Sequence, residues 1–132
     1  MTKVSLRSLT VNLSAERDGD WQDAALIPGV SFKVRSTNYA PYVAARSKAL
    51  QEIQKKYPTG DVPPDETAAV FGGLLADHLL LDWRGFDADY SPDEARAVLT
   101  DETFRPLREA VATCAAMVGQ RDIEFVEDAA KN

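Results

Sequence analysis

Hydrophobic and polar positions alternate twice near the start of the chain. Leu9, Val11 and Leu13 interleave with Thr10, Asn12 and Ser14, and Val30, Phe32 and Val34 interleave with Ser31, Lys33 and Arg35. A period of two is that of a half-buried strand. Between these runs, Arg17-Asp18-Gly19-Asp20 and Pro28-Gly29 are turn signals, and they enclose a further strand over residues 21–27. The pattern predicts a three-stranded antiparallel meander over 9–36, with one apolar face that something must cover, because so small a sheet is marginal alone.

From residue 38 the period changes. Tyr39, Tyr42, Val43, Ala49, Leu50, Ile53 and Tyr57 recur in steps suited to an amphipathic helix, the expected cover for the sheet. Asn38 is its predicted N-cap and Pro41 sits in its first turn. Glu52 and Lys56 have the spacing of a surface pair, Lys55 and Lys56 suit the negative helix end, and Pro58 to Gly60 stops the helix. A second helix opens on Asp65 and Glu66 and runs through Ala69, Val70, Phe71, Leu74, Leu75, Leu79, Leu80 and Leu81. A helix apolar nearly all round is central and buried. It is predicted to end in Asp82-Trp83-Arg84-Gly85, with Gly85 left-handed just past its end. The interior pair Gly72-Gly73 costs about 2 kcal/mol relative to alanine; a close helix crossing or a kink accounts for it, a hinge being the other account.

Tyr90-Ser91-Pro92-Asp93-Glu94 is a strong helix start, with Ser91 as N-cap, Pro92 at the first helical position and Glu94 in place for a capping box. That helix ends near Thr100. Pro106 fits only a first turn, so the next begins near Thr103, and Phe104, Leu107, Val111, Cys114 and Val118 form a seam of heptad type along it. Over 120–132, Ile123, Val126 and Ala130 share a face among Glu124, Glu127 and Asp128, which reads as a short acidic helix or a flexible tail that orders on binding. The predicted fold is α+β, mainly α: a small N-terminal antiparallel three-stranded meander packed on a bundle of four to five helices. It forms a single domain over 1–132, with the helical part over 38–118.

Composition narrows the function more than the fold. The 132 residues suit one domain, and 45% hydrophobic with 27% charged is an ordinary globular balance. A net charge of −6 disfavours nucleic acid and anionic membranes as partners and favours a basic one. The lone Cys114 has no intrachain partner, which points to a reducing compartment. The first residues lack the apolar core of a signal peptide, and the longest apolar stretch, broken by Asp77 and His78, is too short for a bilayer. A cytosolic location is expected.

Candidate chemistry is sparse. His78 is the sole histidine, and with no nucleophile beside it a structural role outweighs that of a general base. One histidine and one cysteine at unrelated positions do not make a zinc site, and Cys114 lies on the apolar seam. The acids at Asp61, Asp65 and Glu66 lack a calcium loop, and those at Asp87, Asp89, Asp93 and Glu94 are explained by helix capping. Gly72-Gly73 lies inside a helix, where no phosphate loop can form, and Ser47 and Ser91 lack a nucleophile elbow. No catalytic residue, cofactor or metal is expected. Recognition is left: Trp83, Phe86 and Tyr90 fall at one helix–loop–helix corner, where aromatics are most often core and are also the types favoured as binding anchors.

Taken in order, the marks are the acidic-Gly turn before Trp21, Pro28-Gly29-Val30 with Phe32-Lys33-Val34-Arg35, the Tyr-rich helix, Asp82-Trp83-Arg84-Gly85, Tyr90-Ser91-Pro92 with Ala95, and the ending Ala129-Ala130-Lys131-Asn132. This order resembles the tail assembly chaperones of long-tailed bacteriophages. Ala-Lys-Asn can be encoded with an adenine run on which ribosomes slip, so the chain is expected to be the short form of a pair whose longer form arises by frameshift. The resemblance implies a non-enzymatic assembly role in the host cytoplasm, absent from the mature virion. The implied partners are the tape measure protein, which the chaperone keeps soluble, and the major tail tube protein; self-association is a further expectation. The client-binding surface is expected at Trp83, Phe86 and Tyr90, together with Val34, Arg35 and Tyr39 at the sheet-to-helix junction. Two alternatives stand beside it: a structural virion subunit such as a tail terminator or head-completion protein, and an acidic regulatory module that binds a host protein.

Overall fold

A computed structural model describes residues 1–127. The elements in order are β1 (Thr2–Val4), a 3-10 turn (Leu6–Ser8), α1 (Leu13–Asp18), β2 (Asp20–Asp23), β3 (Ser31–Val34), α2 (Ala40–Lys56), α3 (Pro64–Leu74), a wide π-type turn (Leu75–Leu79) and β4 (Leu80–Arg84). After these come α4 (Pro92–Leu99), a second 3-10 turn (Glu102–Phe104), α5 (Arg105–Met117) and β5 (Phe125–Glu127). The fold is α+β and mainly α, with an antiparallel sheet built largely from the N-terminal part of the chain.

The three-stranded sheet is real, but its membership differs from the predicted meander. Its order is β2-β3-β4. The alternating run from Leu9 to Leu13 is not its first strand. Asn12 instead caps α1, its side chain accepting from the Ala15 amide at 3.2 Å, and Leu9, Val11 and Leu13 are exposed. A period of two without a face to bury it against does not hold a strand. The third strand comes from the far end of the apolar run. Leu80–Arg84 pairs with β3 in the register Ser31↔Arg84, Phe32↔Trp83, Lys33↔Asp82 and Val34↔Leu80, with a bulge between Lys33 and Val34. The predicted central helix therefore stops at Leu74 and unwinds through the π-type turn. Residues such as Leu79 and Leu80, 0% and 2% exposed, are buried whichever way they face, and periodicity does not separate a buried helix from a buried strand.

The core joins Phe32, Val34, Leu80 and Trp83 of the sheet to Leu74, Leu75, Leu79, Ala95, Leu99, Val111, Cys114, Ala115 and Val118. The cover over β2 and β3 is α5, not α2: α2 buries only Tyr42, while Val43 and Leu50 stay exposed. The N-cap of α2 is Tyr39 rather than Asn38. Lys56 pairs with Glu66 of α3 at 2.9 Å, not with Glu52.

Several start signals hold. Ser91 Oγ accepts from the Glu94 amide at 3.1 Å with Pro92 next in line, Asp65 and Glu66 occupy the first turn of α3, and Pro106 lies in the first turn of α5. Gly72 answers to packing: a Cβ there would overlap the Leu99 carbonyl at the end of α4, so α3 and α4 cross closer than any side chain permits. At the tail, the expected acidic helix is absent from the described part. Phe125–Glu127 instead forms a two-stranded antiparallel ribbon with Thr2–Val4; the rest of the predicted tail, from 128 onward, lies outside the described residues.

Candidate functional site

β4 ends at Arg84, and Gly85 turns the chain sharply at φ +99°, where its α-carbon faces the Gly29 carbonyl with no room for a Cβ. The turn swings Phe86 back over the sheet. Trp83, Phe86 and Tyr90 do meet: the Trp83 and Phe86 rings lie edge to face at 5.6 Å and 83°, and those of Trp83 and Tyr90 at 5.3 Å and 86°. Phe86 also contacts Phe32 at 5.9 Å. Such geometries are favourable beyond area burial alone. The Trp83 indole N–H donates to the Ala88 carbonyl at 2.8 Å, so the loop is tied to its anchor. The Tyr90 hydroxyl reaches the Leu80 carbonyl at 3.5 Å; burial, and then the Asp82 carboxylate, push its pKa above the ordinary 10.0.

Beside this cluster opens a groove of about 450 Å³, walled by Ile27, Trp83, Phe86, Val98, Phe104 and Leu107, with Asp87 and Glu94 at its polar margin. Trp83 is only 7% exposed and forms the floor; Phe86 and Phe104, at 36% and 40%, stand on the walls. Tyr90 supports Trp83 from behind and does not line the groove.

The other half of the predicted surface lies elsewhere. Val34 is 0% exposed and presents no surface at all. Arg35 serves as a tie: its Nε donates to the Arg17 carbonyl at 3.0 Å, a terminal nitrogen donates to the His78 carbonyl at 3.2 Å, and its guanidinium stacks on Tyr39 at 4.7 Å. Tyr39 borders a separate depression with Leu13, Glu16 and Pro41, which shares no residue with the groove.

Sequence reasoning missed Phe104, Leu107, Val98 and Ile27 as surface. Phe104 and Leu107 belong to the predicted apolar seam, and only its later members, Val111, Cys114 and Val118, are buried. A seam that begins on a capped 3-10 turn, where Asp101 accepts from the Thr103 amide at 2.8 Å and from its hydroxyl at 2.7 Å, leaves its first residue at the rim. Those two bonds hold the Asp101 carboxyl below its ordinary pKa. Cys114 lies beneath β2, its Sγ 3.6 Å from the Asp23 carbonyl, and burial raises its pKa above that of a free thiol. Among the described residues, no three His, Cys, Asp or Glu side chains are grouped to hold a metal ion, and no helix is long and apolar enough to cross a membrane.

Residues 37–132 match the YdaY prophage protein family. The matched span contains the whole Trp83 corner and every groove residue except Ile27. No curated protein and no solved structure matches the chain. The chain belongs to the YdaY prophage protein family and is of phage origin.

Proposed function

We propose that this YdaY-family protein is a non-catalytic tail assembly chaperone that keeps the tape measure protein soluble while the phage tail is built. It acts in the cytoplasm of the host and is left out of the finished particle. The observation that carries this reading is the groove: apolar walls on a rigid floor, at a corner with acidic margins. An amphipathic client helix lays anchors spaced three and four residues apart into such a groove. Trp83 is already fixed by its hydrogen bond and ring contacts, so little ordering cost falls on binding. Asp87 and Glu94 favour a client whose anchors are flanked by basic residues. Phage membership supports the setting, and the order of sequence marks supports the tail.

The test is co-expression with the tape measure protein of the same phage element, scoring the client's soluble fraction and its co-purification. Wild-type protein is expected to solubilise it, and Phe104→Asp to weaken capture at least about tenfold, the scale of an interface hot spot, with the melting temperature little changed because Phe104 is already at the rim. A client that stays insoluble, or a Phe104→Asp variant that captures normally, overturns the reading. Recovery of the protein from purified virions would make it a structural subunit instead.

A further inference from the structure

Fifteen large apolar side chains are exposed among the described residues, and nine of them fall in 1–13 and 123–126. These two stretches run side by side. Val4 pairs with Phe125 in the ribbon, the Ser5 amide donates to the Glu124 carbonyl at 2.7 Å, and the Asn12 amide donates to the Gly119 carbonyl at 2.7 Å. All six ribbon residues are exposed, and none belongs to the core. A two-stranded ribbon that contributes no residue to the core is marginal in water. It carries Val4 and Phe125 on one face and Val126 on the other, and Leu6, Leu9 and Leu13 are exposed in the chain that follows β1.

We infer that this terminal surface is a homodimer interface, with the ribbon of a second copy as its occupant. Charge selects the occupant. Residues 1–13 and 119–127 hold three basic side chains, Lys3, Arg7 and Arg121, and three acidic ones, Asp122, Glu124 and Glu127, so the side chains there balance while the rest of the chain carries the whole excess of −6. Two identical acidic molecules repel if they meet through an acidic face; on this surface each copy offers both signs to the other, as a two-fold contact requires. Area agrees. Eight of the nine apolar side chains, leaving out Val126 on the ribbon's other face, are each more than two-fifths exposed and present on the order of 800 Å², what one partner contributes to a standard interface. An apolar composition is that of a homodimer interface. Two ribbons together supply four strands, more than the three that independent stability needs.

Sedimentation equilibrium on the full chain over a wide concentration range tests this. The expected result is a reversible rise from monomer to dimer mass. Leu6→Lys combined with Phe125→Lys should raise the dissociation constant at least about tenfold, and Phe104→Lys in the groove should leave it unchanged. A second reading needs no variant: amide exchange in the wild-type ribbon should slow as concentration rises. A chain that stays monomeric, a dimer that survives the double substitution, or one broken only by Phe104→Lys overturns the inference. A monomeric chain, or a dimer that survives the double substitution, leaves client capture at the groove untouched, whereas a dimer broken only by Phe104→Lys would seat the second copy in the groove itself.

Discussion

The Trp83 corner and the terminal ribbon both hold apolar side chains in water, yet they rest on different foundations. At the corner, Phe86 and Phe104 stand on a floor that is buried and hydrogen-bonded through Trp83. In the ribbon, every residue from Thr2 to Val4 and from Phe125 to Glu127 is exposed, and none belongs to the core. A groove with a built floor keeps its shape while empty, so it suits a partner that comes and goes. An apolar ribbon outside the core gains its stability from what covers it, so it suits a second copy of the chain.

The largest test of that contrast sets two aromatic truncations side by side. Trp83→Ala removes a core ring and two edge-to-face contacts and should cost about 3–5 kcal/mol. Phe125→Ala, 67% exposed, should fall within about 0.5 kcal/mol in dilute monomer. Urea denaturation at low protein concentration measures both, and equal costs would remove the distinction. A smaller effect probes how the groove's far wall is held. α4 carries Glu94 and Val98 to the groove, and its last residue, Leu99, lies over Gly72. Gly72→Ala should therefore destabilise by about 1–3 kcal/mol, the range for overpacking, despite the higher helix propensity of alanine. Gly73→Ala, whose Cβ would meet only the end of Arg96 at 3.7 Å, should stabilise by up to about 1 kcal/mol. If both substitutions behave alike, α3 and α4 do not cross where the structure has them.

The same contrast marks where sequence was legible. Local chemistry that acts within one turn came through: Ser91 with Pro92, the acids that open α3, Pro106, and the positive φ of Gly85, although Gly85 follows strand β4 and not the predicted helix end. So did the aromatic corner, because Trp83, Phe86 and Tyr90 are close in the chain before they are close in space. What failed depended on distant partners. Leu80–Arg84 is a strand because β3 lies beside it, and no period in Leu79-Leu80-Leu81 reports that. Leu9, Val11 and Leu13 alternate like a strand, but no sheet face receives them. The groove is half legible for the same reason: Trp83 and Phe86 are local, whereas Ile27, Val98, Phe104 and Leu107 reach it from three other parts of the fold.

The smallest expected effect lies away from both regions, where α2 and α3 are joined, and it provides a control for them. Glu66 accepts from the Tyr57 hydroxyl and pairs with Lys56 at 2.9 Å. The Tyr57 bond first, and Lys56 after it, hold the Glu66 carboxyl below its ordinary 4.5. The same bond raises the Tyr57 pKa above 10.0. A depressed carboxyl contributes stability that is present above its unfolded pKa and lost as pH falls through the folded value; a raised phenol contributes below its unfolded pKa and loses it as pH climbs through the folded one. The clamp therefore acts fully between about pH 5 and 9 and weakens on either side. Glu66→Gln should flatten the acid limb of the melting curve below pH 5 and leave the monomer–dimer equilibrium and client capture unchanged, because Glu66 touches neither the ribbon nor the groove. If Glu66→Gln altered either one, α2 and α3 would be coupled to the two surfaces, and the separation between a floor-bound groove and a partner-bound ribbon would not hold.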